Sequence, residues 1–236
     1  MPKETRVRAR RSAASKGGGR KRLVSKEEIV DLAISLGDER GLDELSVRQL
    51  AEGLNIGTMT LYSYFKGKDE ILDAMADTLL GSLTVPIKEG ADFGQIVRAA
   101  AHAYRDLFSR HPSALRLLAA RATKSDVAAG GMNETLAALR SAGLDAEVAV
   151  KAMGVIVQYT LGFSLYQLAR PWGSPDADPE ARRVRTLHYA SYNAVAFPHV
   201  VEAAAELTQL PTDEQFEFGL DAIAVGLSVG AAEVNG

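Results

Sequence analysis

The residues best suited to chemistry form two short helical segments joined by a tight turn. Ser46 is suited to cap the first segment, in which Leu50 and Ala51 share one apolar face. Residues 55–57 are turn formers, and a second segment follows over 58–64. This spacing predicts a helix-turn-helix, in which the second helix enters the DNA major groove while the first crosses the backbone.

Charge is distributed unevenly along the chain. Residues 1–24 hold nine basic residues and one acidic residue, a net charge of +8, whereas the whole 236-residue chain carries −3. A basic segment on an acidic body favours a polyanionic partner, because each neutralised phosphate releases condensed counterions. We therefore predict a disordered basic arm over 1–24 that contacts nucleic acid. A solvated tail without such a partner is the alternative.

Elsewhere the pattern is almost wholly helical. A first helix follows Ser25, which lies three residues before Glu28 in a capping-box spacing. Further helices are predicted at 68–83, 92–110, 112–122, 126–142, 145–169, 180–208 (kinked or divided at Pro198) and 213–232. We therefore predict an all-α fold, with a three-helix helix-turn-helix module over 25–70 and a larger C-terminal helical bundle over 71–236.

The sequence shows no motif for catalysis or metal binding. It has no cysteine, its four histidines are scattered, and it lacks a glycine-rich phosphate loop and a nucleophile elbow. No apolar run reaches the roughly 18–20 residues that span a bilayer, and no signal-peptide core is present. We expect a cytoplasmic protein that is not an enzyme, has no cofactor or metal, and does not enter a membrane.

Residues 25–76 carry a set of motifs that match one family without a gap. They are Ile29, Ala33, Leu45-Ser46-Val47-Arg48, Leu50-Ala51, Leu54-Asn55-Ile56-Gly57, Thr60-Leu61-Tyr62-Ser63-Tyr64-Phe65, Lys68 and Leu72. This stretch resembles the DNA-binding domain of the TetR family of repressors. The resemblance implies a dimer that binds a near-palindromic operator and leaves it when a small-molecule inducer binds.

The resemblance also implies which side chains contact DNA. The first residues of the second helix would face base edges, where threonine and methionine methyls suit a thymine methyl, and the other hydroxyl and basic groups would bind phosphates. These residues are Arg48, Thr58, Met59, Thr60, Tyr62, Ser63, Tyr64 and Lys68, together with Arg20, Lys21 and Arg22 of the arm. Leu61 and Phe65 are predicted to be core residues instead.

The module itself is acidic, since residues 25–80 hold five basic and twelve acidic residues. Its long-range attraction for DNA should therefore be poor. We hypothesise that the basic arm supplies much of the affinity by lying in the adjacent minor groove.

The C-terminal part is similar, more loosely, to the tetracycline-repressor branch of the family. The similarity is carried by Tyr104-Arg105-Asp106-Leu107-Phe108, residues 136–143, Thr160-Leu161-Gly162-Phe163 and Phe216-Glu217-Phe218-Gly219-Leu220. In that branch a histidine and a glutamate help to hold magnesium with tetracycline. The corresponding places fall near Leu118 and Tyr166, which are not ligands for a hard cation, so we do not expect a tetracycline–magnesium inducer.

An apolar, aromatic ligand site is expected in this bundle. The candidates are Tyr104, Phe108, Met132, Met153, Gln158, Tyr159, Phe163, Tyr166, Trp172, His188, Tyr189 and Tyr192. Each could instead be an ordinary core residue. Gln158 and His188 are the favoured polar contacts, because a buried polar group needs a partner.

Dimerisation is expected through the helices at 145–169 and 213–232, the second of which is rich in small residues; packing within one chain is the alternative. Ligand binding would shift the population towards a form whose reading helices no longer match major grooves about 34–36 Å apart. The helix at 68–83 would carry the motion. A helical adaptor with a basic tail and a transcriptional activator of the same fold are the rival functions.

Overall fold

The computed structural model describes residues 24–169 and 178–234, with side chains as far as residue 229. Residues 1–23 of the arm, including Arg20, Lys21 and Arg22, and Trp172 lie outside the described residues. All regular elements in the described ranges are helices, as expected of an all-α fold. They are α1 (Lys26–Arg40), α2 (Val47–Gly53), α3 (Thr58–Tyr62), α4 (Lys68–Gly81), α5 (Phe93–Arg110), α6 (Ser113–Ala120), α7 (Asp126–Ser141), α8 (Ala146–Ala169), α9 (Pro179–Ala190), α10 (Pro198–Glu202), α11 (Ala204–Leu207) and α12 (Asp213–Val234).

Local sequence signals fix the starts of the first two helices. The Ser25 hydroxyl accepts a hydrogen bond from the Glu28 amide, and the Glu28 carboxylate accepts one from the Ser25 amide, both at 3.1 Å. Ser46 and Gln49 form the same reciprocal pair at the start of α2. Each pair satisfies two amides that a helix start leaves without partners. Both predicted caps are therefore confirmed.

The turn between α2 and α3 depends on Asn55. Its φ of 54° lies in the left-handed region that asparagine tolerates better than most residues. This conformation lets the Ile56 amide donate back to the Ala51 carbonyl at 2.9 Å, which closes the end of α2. The angle between α2 and α3 is therefore set by residues that the sequence already marked as a turn.

The N-terminal module shares its core with the helices that follow it. The apolar faces of α1 to α4 form one buried cluster that also contains Leu107 and Phe108 of α5 and Leu115 and Leu117 of α6. The remaining bundle has α5 at its centre, packed against α7, α8 and α12. The cluster crosses position 70/71, so the domain boundary proposed there remains a prediction.

The expectation of a helix over 180–208 is wrong between residues 191 and 197. Helix α9 ends at Ala190, and Asn193 turns the chain by accepting hydrogen bonds from the amides of Val195 and Ala196 at 2.9 and 3.1 Å. Pro198 then begins α10, where its missing N–H and fixed φ suit the first helical position. The division expected at Pro198 is therefore confirmed, but the break that precedes it begins as early as residue 191.

Helix α8 corrects another expectation. It contains an 18-residue window of mean hydropathy 1.5, so by length and composition it could cross a membrane. Lys151 and Gln158 interrupt the apolar residues of this helix without lowering its mean hydropathy enough to exclude it, so the sequence did not mark it as a candidate span. One face of α8 packs against α5, α7 and α12. Core helices of water-soluble proteins meet the same measure, so it is weak evidence for a membrane span.

Gly219→Ala is expected to destabilise the fold. The Tyr159 hydroxyl donates to the carbonyl of Phe216 at 3.0 Å, and its ring stacks on the Phe216 ring. A methyl group on Gly219 would overlap this phenol. Displacing it should cost about 1–3 kcal/mol in the free energy of unfolding, measured by denaturant titration. Gly130→Ala in α7 meets no neighbouring atom and should instead stabilise by about 0.5–1 kcal/mol. Equal effects would contradict the packing described here.

Candidate DNA-binding face and its junction with the C-terminal helices

Helix α3 is anchored on one side and exposed on the other. Leu61 and Phe65 are buried, which confirms the prediction that they are core residues. Met59 is 80% exposed and Tyr62 is 48% exposed, and Thr58 is exposed beside them. An apolar side chain as exposed as Met59 buries little surface and therefore contributes little to the stability of the fold. The exposed face of α3 therefore has the form of a short helix available to a groove.

The end of α3 differs from the prediction. The helix stops at Tyr62, because Ser63 caps it and the Ser63 hydroxyl donates to the Thr60 carbonyl at 2.6 Å. Tyr64 lies beyond the helix and packs, half-buried, against the core. Thr60 is also half-buried. The most exposed candidates for contact are therefore at the start and on the outer side of α3.

The two predicted phosphate-binding cations are held differently. Arg48 is exposed and pairs with Glu52 at 2.8 Å, one helical turn away. Such an exposed pair is weak, so Arg48 can turn towards another anion. The Lys68 ammonium donates to the Leu42 carbonyl at 2.7 Å and more weakly to the Asp43 carbonyl at 3.5 Å. Lys68 therefore ties the start of α4 to the α1–α2 loop, a structural contact that the sequence did not suggest.

Acidic side chains of the helix-turn-helix module reach α6. Asp38 accepts a hydrogen bond from the Ser113 amide at 3.0 Å and lies 2.8 Å from Nδ1 of His111. It thus caps α6 from outside that helix. Asp43 accepts two hydrogen bonds from the Arg116 guanidinium, at 2.7 and 3.1 Å. Charge-assisted bonds therefore connect both α1 and the α1–α2 loop to α6.

The segment after α6 is bound to α4 in the same way. Arg121 contacts Asp69 at 2.8 Å and Asp73 at 2.5 Å, and the Lys124 ammonium also contacts Asp73 at 2.5 Å. Hydrogen bonds from Lys124 and Arg121 hold the pKa of Asp73 below its usual range. Asp77 accepts from the amide of Lys124 at 2.8 Å. Sequence reasoning missed these residues, although the acidic excess of the module was a signal for them.

Asp38→Ala is expected to lower stability more than Asp43→Ala. Asp38 is mostly buried and supplies the only side-chain cap of α6 among the described residues, so its loss should cost about 1–2 kcal/mol. The pair of Asp43 with Arg116 is exposed on both sides, and its loss should cost much less. Denaturant unfolding of both variants checks the order. A larger loss for Asp43→Ala would contradict the account of this junction.

The predicted aromatic ligand residues that the structure describes fall into separate groups within a single chain. Tyr104 and Phe108 of α5 have ring centroids 6.2 Å apart, and those of Tyr159 and Phe163 of α8 are 6.1 Å apart. Burial raises the pKa of the Tyr104 phenol above its usual range. Another ring cluster, on α9 and the segment after it, makes no ring contact with these among the described residues. It contains His188, Tyr189, Tyr192 and Phe197.

The two favoured polar ligand candidates are not buried in the single chain. Gln158 and His188 are exposed in the single chain, so neither needs a ligand to satisfy a buried polar group. The His188 ring has a local partner, the Tyr192 hydroxyl at 3.2 Å. Met132 and Tyr166 are exposed as well, and Met153 packs half-buried in the bundle. Periodicity placed them on helices but could not tell which helix faces are covered.

Helices α8 and α12 each carry an exposed stripe at alternating spacings of four and three residues. On α8 the stripe is Lys151, Val155, Gln158, Gly162, Leu165 and Ala169; on α12 it is Phe218, Ala222, Val225 and Val229. Phe218 is 75% and Val225 is 64% exposed. The two helices contact each other, so the stripes lie on neighbouring helices. This heptad spacing is typical of helices that pack against other helices.

The two positions compared with the magnesium ligands of the tetracycline-repressor branch lie in different surroundings. Leu118 packs against the apolar core, and Tyr166 is exposed on α8. In the ranges 24–169 and 178–234, no three histidine, aspartate or glutamate side chains are grouped so that they could hold a metal ion.

Comparison with known proteins agrees with this architecture. Residues 29–75 match the family described as bacterial regulatory proteins, tetR family, and residues 85–230 match the tetracyclin repressor-like C-terminal domain. The HTH-type transcriptional repressor DrrR1 of Streptomyces coeruleorubidus is 32% identical over 228 residues, which span 92% of this chain and 82% of that protein. A class C tetracycline repressor protein of Escherichia coli is 28% identical over 211 residues, 86% of this chain and 90% of that protein.

Solved structures are similar over nearly the whole chain. Apo ActR from Streptomyces coelicolor has a TM-score of 0.79 and 30% identity, covering 89% of this chain and 98% of ActR. ActR in complex with actinorhodin has the same TM-score and identity, covering 89% of this chain and 99% of that chain. These relatives are transcriptional regulators and not enzymes, and they do not favour a helical adaptor or an activator. The chain belongs to the TetR family and is a ligand-responsive, DNA-binding transcriptional repressor.

Proposed function

We propose that two copies of this chain pair through α8 and α12 and present two α3 helices to a near-palindromic operator in the cytoplasm. The observation that carries this proposal is the pair of exposed stripes on adjacent helices, which are apolar on α12 and largely apolar on α8. Such a surface is unfavourable in water unless another surface covers it. A second copy suits it, because two-helix faces with the same heptad spacing can meet as a four-helix bundle about a two-fold axis.

The proposed reading face is the exposed side of α3. Thr58 and Met59 lie at the first positions of the helix, from which side chains reach base edges. Tyr62 and Arg48 have exposed polar groups that suit phosphates, and Ser63 and Tyr64 follow at the end of α3. We place Thr60 and Lys68 at the edge of this face, since Thr60 is half-buried and Lys68 is held by a carbonyl.

Removing residues 2–22 is expected to weaken operator binding and to flatten its salt dependence. The segment carries all nine basic residues of the arm. Each lost phosphate contact reduces the slope of log K against log salt by about 0.9. Replacing only Arg20, Lys21 and Arg22 by alanine should reduce the slope by up to about three times this amount, one for each lost contact. Fluorescence anisotropy across a salt series measures this, and an unchanged slope in both variants would exclude the arm from the interface.

We further propose that a small organic inducer binds the C-terminal bundle and acts on α4 through α6. ActR is known in complex with actinorhodin and with (S)-DNPA, which supports a small-molecule ligand for this chain. The bonds of Asp38, Asp43 and Asp73 to α6 and the segment after it provide a physical route to α1 and α4. Ligand and operator should then weaken each other's binding by the same factor.

The experiment that tests the proposal measures stoichiometry and affinity together. Analytical ultracentrifugation should find two chains on one two-fold operator, and a half-operator should bind on the order of 100-fold more weakly, because the linked second contact is lost. One chain per operator, or equal affinity for the half-site, would contradict the proposed dimer.

A further inference from the structure

A cleft lies between α5, α6, α8 and the first residue of α12. Its volume is about 610 Å³, within the range of sites for small organic molecules. Phe108, Leu115 and Leu168 supply apolar walls. Ser164 also lines the cleft, and its hydroxyl is buried without a hydrogen-bond partner among the described residues. The cleft thus combines apolar surface with an unused polar group.

Arg105 is the dominant charged group in the lining. Its side chain is only 20% exposed, and its guanidinium lies 4.6 Å from the centre of the Phe216 ring and 5.4 Å from that of Phe163. The two rings fix the plane of the guanidinium and shield it from water on that side. An arginine held in this way interacts more strongly with an anion than a solvated one does.

The hydrogen bonds of Arg105 leave donors unused. Nη2 donates to Asp213 at 2.5 Å and to Gln167 at 3.1 Å, whereas Nε and Nη1 make no hydrogen bond within the described part of the chain. A guanidinium has five N–H donors, so three remain for another acceptor. Gln167 is a neutral partner and does not balance the charge.

The only carboxylate that pairs with Arg105 in the described residues is poorly placed to keep it. Asp213 is 78% exposed and is the first residue of α12. Because the Asp213 carboxylate is so exposed, water stabilises it nearly as well as Arg105 does. Separation of the pair therefore costs little free energy. Asp106 lines the cleft without an ion pair to Arg105. His102 and Arg98 nearby are already engaged by Glu217.

We propose that this cleft binds a small aromatic molecule with one anionic group, and that the anion replaces Asp213 on Arg105. The aromatic part would lie on the apolar walls, and the anion would use the free donors of the guanidinium. Release of Asp213 would alter the start of α12, one of the two helices assigned to the dimer. That consequence rests on the proposed function, whereas binding in the cleft does not.

A matched pair of fluorescent probes tests this on the full-length protein. The anionic probe is 8-anilinonaphthalene-1-sulfonate, and N-phenyl-1-naphthylamine is the same ring system without the sulfonate. Asp213→Asn should tighten binding of the sulfonate several-fold, because the competing carboxylate is gone, whereas Glu214→Gln should leave it unchanged. Arg105→Gln should weaken it at least tenfold. None of the three should change binding of the neutral probe by more than about twofold.

Two results would overturn the proposal. One is no binding of the sulfonate by the unaltered protein, and the other is equal sulfonate affinity in Asp213→Asn, Glu214→Gln and the unaltered protein. The test remains decisive if Arg105→Gln fails to fold, because Asp213→Asn is expected to bind the sulfonate more tightly and not more weakly. Operator binding is measured on the same preparations. If the proteins bind operator normally but all have the same affinity for the sulfonate, this inference alone is rejected. If the unaltered protein does not bind operator, the proposed function is rejected.

Discussion

Val225→Glu is expected to reduce operator affinity by about 100-fold or more and to convert the dimer into monomers. Val225 lies at the middle of the exposed stripe of α12, with Ala222 and Val229 on either side. In a two-fold pair the stripe faces its own copy, so the substitution places two like charges in an apolar interface. Desolvating them without partners costs several kcal/mol. A single chain then loses the avidity of two linked half-site contacts.

The matched control is Val127→Glu at the start of α7. Val127 is 68% exposed, close to the value for Val225, but it lies beside α4 and outside both stripes. Its substitution should leave sedimentation and operator affinity unchanged. If Val225→Glu remained a dimer with normal affinity, α12 would not form the interface. If both variants lost affinity alike, the effect would come from charge and not from pairing.

The second large effect is expected in α3. Thr58→Ala and Tyr62→Ala should each lower affinity for the specific operator by about 10–100-fold, since a direct base or phosphate contact contributes about 1–3 kcal/mol. Both side chains are exposed, so the fold should not change. Thr58→Ala should also relax the sequence preference at one base pair in each half-site, whereas Tyr62→Ala should weaken all sequences alike. Anisotropy titrations against operator variants distinguish the two effects.

Tyr192→Ala serves as the control for this pair. Tyr192 is as exposed as Tyr62, at 41% against 48%, but it lies after α9 in the C-terminal part. Operator affinity should be unaffected by its loss. Normal specific binding by both α3 variants would mean that this helix does not read DNA, whatever the family of the chain.

The sequence predicted those parts of the fold that depend on neighbouring residues. The caps at Ser25 and Ser46 and the turn at Asn55 are set by side chains within three residues of the backbone groups that they serve. The break after Ala190 was misplaced because its cause, Asn193, acts through a local turn that apolar periodicity does not register. The sequence therefore predicted the ends of helices where a capping residue marks them, and not elsewhere.

The junction between the module and α6 could not be read from the sequence. Asp38 and His111 are 73 residues apart, and Asp43 and Arg116 are separated by the same number. No local pattern pairs them, so the acidic excess of the module appeared only as poor attraction for DNA. In the structure several of these carboxylates face basic groups of the C-terminal part. Part of the acidic excess of the module therefore serves contacts with the C-terminal part of the chain.

The residues that would bind a ligand remain a prediction. Helical spacing favours aromatic residues as candidates, and two of them, Tyr159 and Phe163, pack against Phe216 in the structure. The cleft that we propose as a binding site is marked by Arg105, a charged residue that periodicity alone does not distinguish from a solvated one. The burial of Arg105 depends on its contact with α12, which lies more than 100 residues away in the chain.

Selection of bound fragments from a pool of random-sequence DNA tests the central claim most directly. The unaltered protein should enrich a near-palindrome whose half-sites lie about one helical turn, 10–10.5 base pairs, or a multiple of it apart. Thr58→Ala should enrich a relaxed form of that site, and Val225→Glu should enrich none. Enrichment of no symmetric site, or of an identical site by all three proteins, would contradict the account of a dimer that reads DNA through α3.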